Sequence, residues 1–364
     1  MSRARDLADL GGSADAGTVT GSNLVINGDM AVNQRNQTTT ASGYTLDRWY
    51  YAGANYDELV VAITQDTDAP SGSGFVNSLK LDVTTAETSL DANEVAYFAQ
   101  KIESQNLTHL NFGSSSAKSI TLSFWVKSSL AGKYSLCLWR PNDNRSNTLS
   151  YTIDSANTWE YKTITYDGDT GGSNFLDDNT AGLWLFFMLS AGTDWSGTPH
   201  TGWGTYAGTD DLAHSDMVDF TAQTGTFYLT GVKLEAGTTA TPYRHESYGD
   251  NLAKCQRYYY KHCEGTTDHV SLGDAHQSTQ ADCVVHFPVT MRSTPTLDAN
   301  SGSNYWGIYI GGVLRNSSAG WTMFRPMEQG ATCYNQGFGS MTAGQAGRVI
   351  TSNASAYMAF DAEL

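Results

Sequence analysis

The sequence predicts an all-β protein: a jelly-roll β-sandwich followed by a smaller C-terminal β-sandwich domain, behind a short N-terminal segment. Three observations carry this. The 364 residues include 36 Gly, 20 Tyr and 9 Trp with only 16% charged residues, a mixture in which aromatic and β-branched side chains fill pleated surfaces while Gly, Asn and Asp make the turns. Many short segments alternate apolar with polar residues at period two, and turn signals separate them. The length itself exceeds what one core sustains, so two domains are expected.

Residues 1–22 stand apart. Two helical turns over 2–10 would set Leu7 and Leu10 on one face, too short to persist alone in water, and residues 11–22 have linker composition without a hydrophobic period. From Asn23 the strand signals are steady. Residues 24–26 begin the sandwich and Asn27-Gly28-Asp29 is a turn signature in which Asn and Gly accept positive φ. Segments 46–51, 58–64 and 78–84 follow, each with one buried and one wet face; 94–102 reads as a strand carrying a bulge. The clearest strands are central: 119–127 puts Ile120, Leu122, Phe124 and Val126 on one face, and 133–139 does the same with Tyr134, Leu136 and Leu138. Segments 159–166, 182–190 and 226–235 complete the sheet pair. A break at Gly237-Thr-Thr-Ala-Thr-Pro242 ends the domain, giving segments 1–22, 23–243 and 244–364. Beyond it a short helix over 250–257 is expected with Asp250 as N-cap, then strands over 284–291, 305–310 and 354–361.

Charge excludes several functions. A net charge of -16 argues against nucleic acid, whose phosphates need clustered Lys and Arg, and disfavours direct binding of a polyanionic sugar. Residues 1–10 carry no continuous apolar stretch of a secretory signal, and no run reaches membrane-helix length, so no membrane insertion is expected. The five Cys have no metal-ligand spacing and read as free thiols made in a reducing cytosol.

No catalytic motif is present: no nucleophile elbow, His-Glu-x-x-His, phosphate loop or paired thiol. The protein is expected not to be an enzyme. No cofactor is expected either; a structural calcium ion held by Asp29, Asp47, Asp167 and Asp169 is the one alternative, although Asp167-Gly-Asp169 also reads as a hairpin turn. The candidate binding surface is the long loop over 191–216, where Trp195, Trp203 and Tyr206 offer flat faces to sugar rings. The competing reading, which the sequence favours, is an Ω-loop that folds its own aromatics onto the sandwich or against a neighbouring chain.

Two stretches carry a resemblance. Asn23-Leu-Val-Ile-Asn-Gly-Asp-Met-Ala-Val-Asn-Gln-Arg35, completed by Asp47-Arg-Trp49, pairs with Gly231-Val-Lys-Leu-Glu-Ala-Gly237, and together they resemble the first and last strands of phage tail-fibre modules with a carbohydrate-binding-module-like jelly roll. The likeness covers residues 23 to about 260 best. It implies a non-catalytic virion appendage, made in the host cytoplasm and trimeric. Such a protein joins other virion proteins through its N-terminus, here Arg3, Arg5, Leu7 and Leu10, and meets a host-surface glycan or protein. A capsid-surface decoration or head-fibre protein is the alternative the same scaffold would serve.

Overall fold

The computed structural model describes residues 22–36, 38–208 and 211–364. The predicted attachment residues Arg3, Arg5, Leu7 and Leu10 lie outside them. The chain is all-β and forms two compact units, the first running to Tyr248 and the second from Gly249 to Glu363. Among the described residues no helix is long and apolar enough to cross a membrane.

In the first unit a seven-stranded antiparallel sheet takes the order β1 (Gly43–Tyr44), β2 (Tyr50–Ala54), β5 (Val95–Glu103), β10 (Ala181–Ala191), β7 (Gly132–Arg140), β8 (Arg145–Ile153) and β12 (Gly204–Thr205). A five-stranded sheet takes the order β3 (Val60–Asp66), β4 (Ser78–Thr85), β14 (Gly225–Ala236), β6 (Ile120–Ser128) and β9 (Glu160–Tyr166). Their facing sides make one core. Ile120, Leu122, Phe124 and Val126 of β6, and Tyr134, Leu136 and Leu138 of β7, are all fully buried in it, as the period of two requires. Strand β10 is apolar in both phases. Leu183, Leu185, Phe187 and Leu189 enter this core, while Phe186 and Met188 enter a second cluster on the sheet's other side. The expected bulge lies in β10, whose register against β5 slips between Met188 and Ser190.

Residues 24–26 are not a ladder strand. Asn23 does the work of one with its side chain: its Nδ2 donates to Val232 O (2.9 Å) and its Oδ1 accepts from Leu234 N (3.0 Å), while Leu24 N donates to Leu234 O (2.8 Å). On the opposite side Gln100 of β5 brackets Ile26, accepting from its N–H (2.8 Å) and donating to its carbonyl (2.9 Å). The segment thus stitches the two sheets together. Asn27 has φ 56°, but Gly28 needs no positive φ. It is a glycine because a Cβ there would lie 2.0 Å from Val232 O. The other signature residues form one buried polar node. Asn27 donates to Val32 O and Asp47 O (2.8 and 3.0 Å), Trp49 Nε1 donates to Asn27 O (3.0 Å), and Gln34 occupies both Asp47 oxygens (2.6 and 2.5 Å). Four scattered residues form a single network, which is why the motifs occur together.

The second unit is an eight-stranded antiparallel sheet, β15 to β22, built around the long pair β15 (Tyr259–Ala275) and β22 (Ala346–Asp361). Its core holds Trp306, Ile308, Cys333, Val349, Met358 and Phe360. Of the expected strands, 284–291 is observed as Ala281–His286 and 305–310 as Trp306–Ile310. The expected 354–361 strand is the second half of β22. Helix α1 spans Tyr248–Gln256, so Asp250 sits inside the first turn instead of capping it, where its charge still favours the helix N-terminus. All five cysteines are buried.

Candidate functional site

A concavity of the first unit lies on the outer face of the five-stranded sheet. It is a groove of about 450 Å³, within the roughly 300–1,000 Å³ typical of small-ligand sites. Its floor is the register pair Trp125 (β6) and Tyr161 (β9), with ring centroids 5.3 Å apart. Trp125 points outward because the opposite phase of β6 supplies the core, and Tyr161 is 45% exposed. Between Thr230 and Lys233 the β14–β6 register slips, and Gly231 sits in that bulge with φ 63°. A Cβ there would meet Phe75 Cζ at 2.6 Å and Trp125 Cδ1 at 3.2 Å, so only glycine leaves room for both rings.

Two loop segments wall the groove. One carries Phe75 and is tied to β14 by Thr230 Oγ1 donating to Asn77 O (2.7 Å). The other is the chain after β14, whose Tyr243 and His245 rings each lie 4.9 Å from Phe75. Burial, and then the nearby Asp29 and Glu246 carboxylates, push the Tyr243 phenol well above its ordinary range, so it stays protonated. The lining contains no Asp, Glu, Lys or Arg. Flat rings with hydroxyls at the edges suit a ligand that has an apolar face and neutral hydrogen-bonding groups.

The loop aromatics sit elsewhere and are not brought together. Trp195 is half-buried over the outer side of the seven-stranded sheet and its Nε1 donates to Asn93 O (3.0 Å). Tyr206 packs on Trp139 of β7 (5.5 Å), its N–H donating to Asn144 O. Trp203 packs edge-on against the core ring of Phe112 (5.5 Å) and donates to Asp167 O (2.7 Å). All three are engaged in holding the loop onto the sandwich.

The Asp167-Gly-Asp169 segment does more than turn the chain. Asp169, 1% exposed, accepts from Arg140 Nη1, from Arg145 Nε and Nη2 (both 2.8 Å) and from Gly171 N (3.0 Å), and Asp143 completes the cluster on Arg140. Burial pushes its carboxyl up, but the bonds from Arg145 and Arg140 outweigh that and hold it below the ordinary range. Its oxygens are therefore committed to guanidinium groups, as those of Asp47 are to Gln34. Among the described residues no group of three or more His, Cys, Asp or Glu is placed to hold a metal ion, so the four aspartates do not fit a shared calcium site.

Sequence reasoning passed over Trp125 and Tyr161. A signal was available: each is a large ring in the polar phase of a strand whose other phase is core.

No protein-family model matches the chain, and no curated protein matches it. Among solved structures it is similar to the enzymatically active domain of tailspike protein 4 of bacteriophage CBA120 (15% identity, TM-score 0.33), over 59% of this chain and 21% of that one. It is also similar to a putative sugar-binding protein from Bacteroides thetaiotaomicron (15% identity, TM-score 0.34, 59% of this chain and 100% of that one). A third likeness is to the CBM22-1 xylan-binding domain of Paenibacillus barcinonensis Xyn10C (11% identity, TM-score 0.28, 61% and 98%). The chain thus spans about a fifth of the tailspike domain's length. These likenesses are distant, and none assigns the chain to a family.

Proposed function

We propose that the first unit binds a neutral glycan in the Trp125–Tyr161 groove, and that the protein is a non-catalytic attachment appendage of a tailed-phage virion, assembled as a homotrimer. The groove carries the first half of this reading: clustered aromatic rings, hydroxyl-bearing edges and no Asp, Glu, Lys or Arg in the lining, on a chain of net charge -16. The second half rests on the resemblance of residues 23–49 and 231–237 to tail-fibre modules. Their role here is scaffold, since they build the polar node and the bulge under the groove.

Fluorescently labelled full-length protein applied to an array of neutral and anionic bacterial glycans tests the reading. Saturable binding to neutral glycans is expected, with a loss of roughly 5- to 30-fold for Trp125→Ala and for Tyr161→Ala, since each ring contributes on the order of 1–2 kcal/mol. Unchanged binding by both variants would move the site elsewhere. Absence of any glycan binding by an intact oligomer would favour a capsid-decoration role.

A further inference from the structure

Beneath the groove, the outward phase of β14 carries two charged side chains that are almost inaccessible. Lys233 and Glu235 are each 1% exposed and pair at 3.1 Å. Neither faces the ligand space. Both are engaged with the segment that leaves β14 and doubles back along the sheet. Lys233 Nζ donates to Thr241 Oγ1 (2.5 Å), Thr241 O (3.3 Å) and Pro242 O (3.2 Å). Glu235 accepts from Thr241 N (2.8 Å) and from Thr241 Oγ1 (2.6 Å). Pro242 has no N–H to offer, which leaves Thr241 as the anchoring residue. Immediately beyond it come Tyr243 and His245, the groove's second wall, and then the chain runs on towards the second unit.

We infer that Lys233 and Glu235 are positioning residues of the groove: the buried pair clamps Thr241 and thereby holds the Tyr243–His245 wall against Phe75. The inference rests on the glycan reading of this groove. A buried ion pair is a poor source of stability, because desolvation offsets its attraction and apolar replacements of similar volume are often neutral. What this pair supplies is a fixed conformation for residues 241–245, which otherwise belong to no strand or helix. The wall also contains an exposed tryptic site, Arg244, between its two rings, so its order is readable without a ligand.

The test uses the full chain with two variants, Lys233→Met/Glu235→Leu and Thr241→Val. Both are expected to keep the wild-type circular dichroism and a similar Tm, to be cut after Arg244 at least tenfold faster in limited trypsin digestion read by mass spectrometry, and to bind more weakly. Binding is measured by calorimetry with cellohexaose, xylohexaose and maltohexaose, and Kd is expected to rise at least tenfold for whichever the wild type binds. A freed wall with unchanged Kd, or a wall still protected from trypsin, overturns the positioning role alone. If the wild type binds none of the three at millimolar concentration, the glycan reading falls and this inference with it. Should the double variant fail to fold, Thr241→Val, which keeps the ion pair, carries the same outcomes.

Discussion

Replacing Gly28 by Ala tests whether the opening signature is the seam that closes the sandwich. The added Cβ would sit 2.0 Å from Val232 O, and its chain neighbours have nowhere to yield because the Gly28 carbonyl itself accepts from Val232 N at 2.8 Å. To reach ordinary contact the two backbones must separate by more than 1 Å, which breaks that bond and the Asn23 Nδ2 bond to the same Val232 (2.9 Å), and strains the two bonds to Leu234. Two to four buried hydrogen bonds at about 1 kcal/mol each give a loss of roughly 2–4 kcal/mol. For a unit of this size that lowers Tm by roughly 4–16 °C. Denaturation followed by tryptophan emission is a suitable assay, because seven of the nine Trp lie before residue 249. Gly249→Ala is the control: nothing lies within 4 Å of its added Cβ and its φ is not positive, so Tm should hold or rise slightly. A Gly28→Ala Tm within about 2 °C of wild type would refute the seam, since no hydrogen-bonded backbone contact could then have been broken.

Two further outcomes follow from buried ionisable groups. Asp169→Asn should destabilise the first unit by roughly 3–5 kcal/mol at neutral pH, because it leaves Arg140 buried with one carboxylate in place of two. Asp169 has a native pKa below its unfolded value, so its contribution is present above about pH 4 and is lost as pH falls further; the gap between wild type and variant should narrow over that acid window in denaturant titrations. The five thiols should be almost unreactive towards a disulfide reagent in the native protein and all react after unfolding, since burial pushes Cys137, Cys263 and Cys333 up to about 12; rapid native labelling of more than one would contradict the packing described.

What the sequence discloses depends on how local the cause is. Core phases of β6 and β7 were legible because alternation is a property of neighbouring residues. Strand β15 was not, since its ladder with β22 slips at four places between Lys261 and Ser271 and each slip breaks the period of two. The role of Asp169 was invisible for a different reason: its partners stand 24 and 29 positions away, and only the β7–β8 hairpin brings them to it. Asn27, Gln34, Asp47 and Trp49 could be read as motifs that occur together, but the network joining them follows from folding 23 residues back on themselves. The second wall of the groove was hidden too. Gly237 to Pro242 has the composition of a linker, and its packing is fixed by Lys233 and Glu235 on the strand before it, which places the unit boundary at Tyr248, beyond the composition break.

The two outer faces of the sandwich can be told apart by the phase in which their strands carry large side chains. Strand β10 is apolar in both phases, and its outward Phe186 and Met188 are buried at 3% and 0% under the loop that contains Trp195 and Tyr206. A strand of that kind cannot face water or a hydroxyl-rich ligand without exposing several large apolar groups, so the loop aromatics are needed where they are, as cover. Strands β6 and β9 differ. Their outward phase is mostly Ser, Thr and Lys, interrupted once on each strand at Trp125 and Tyr161, which meet in register. A single ring per strand is too little apolar surface to demand a lid and is enough to stack a sugar. Removing the loop's Trp195 should therefore cost stability and leave binding intact, whereas removing Trp125 should do the reverse, and measuring both Tm and Kd on the two variants separates cover from platform. If Trp195→Ala lost affinity with its Tm unchanged, the assignment of the two faces would have to be exchanged.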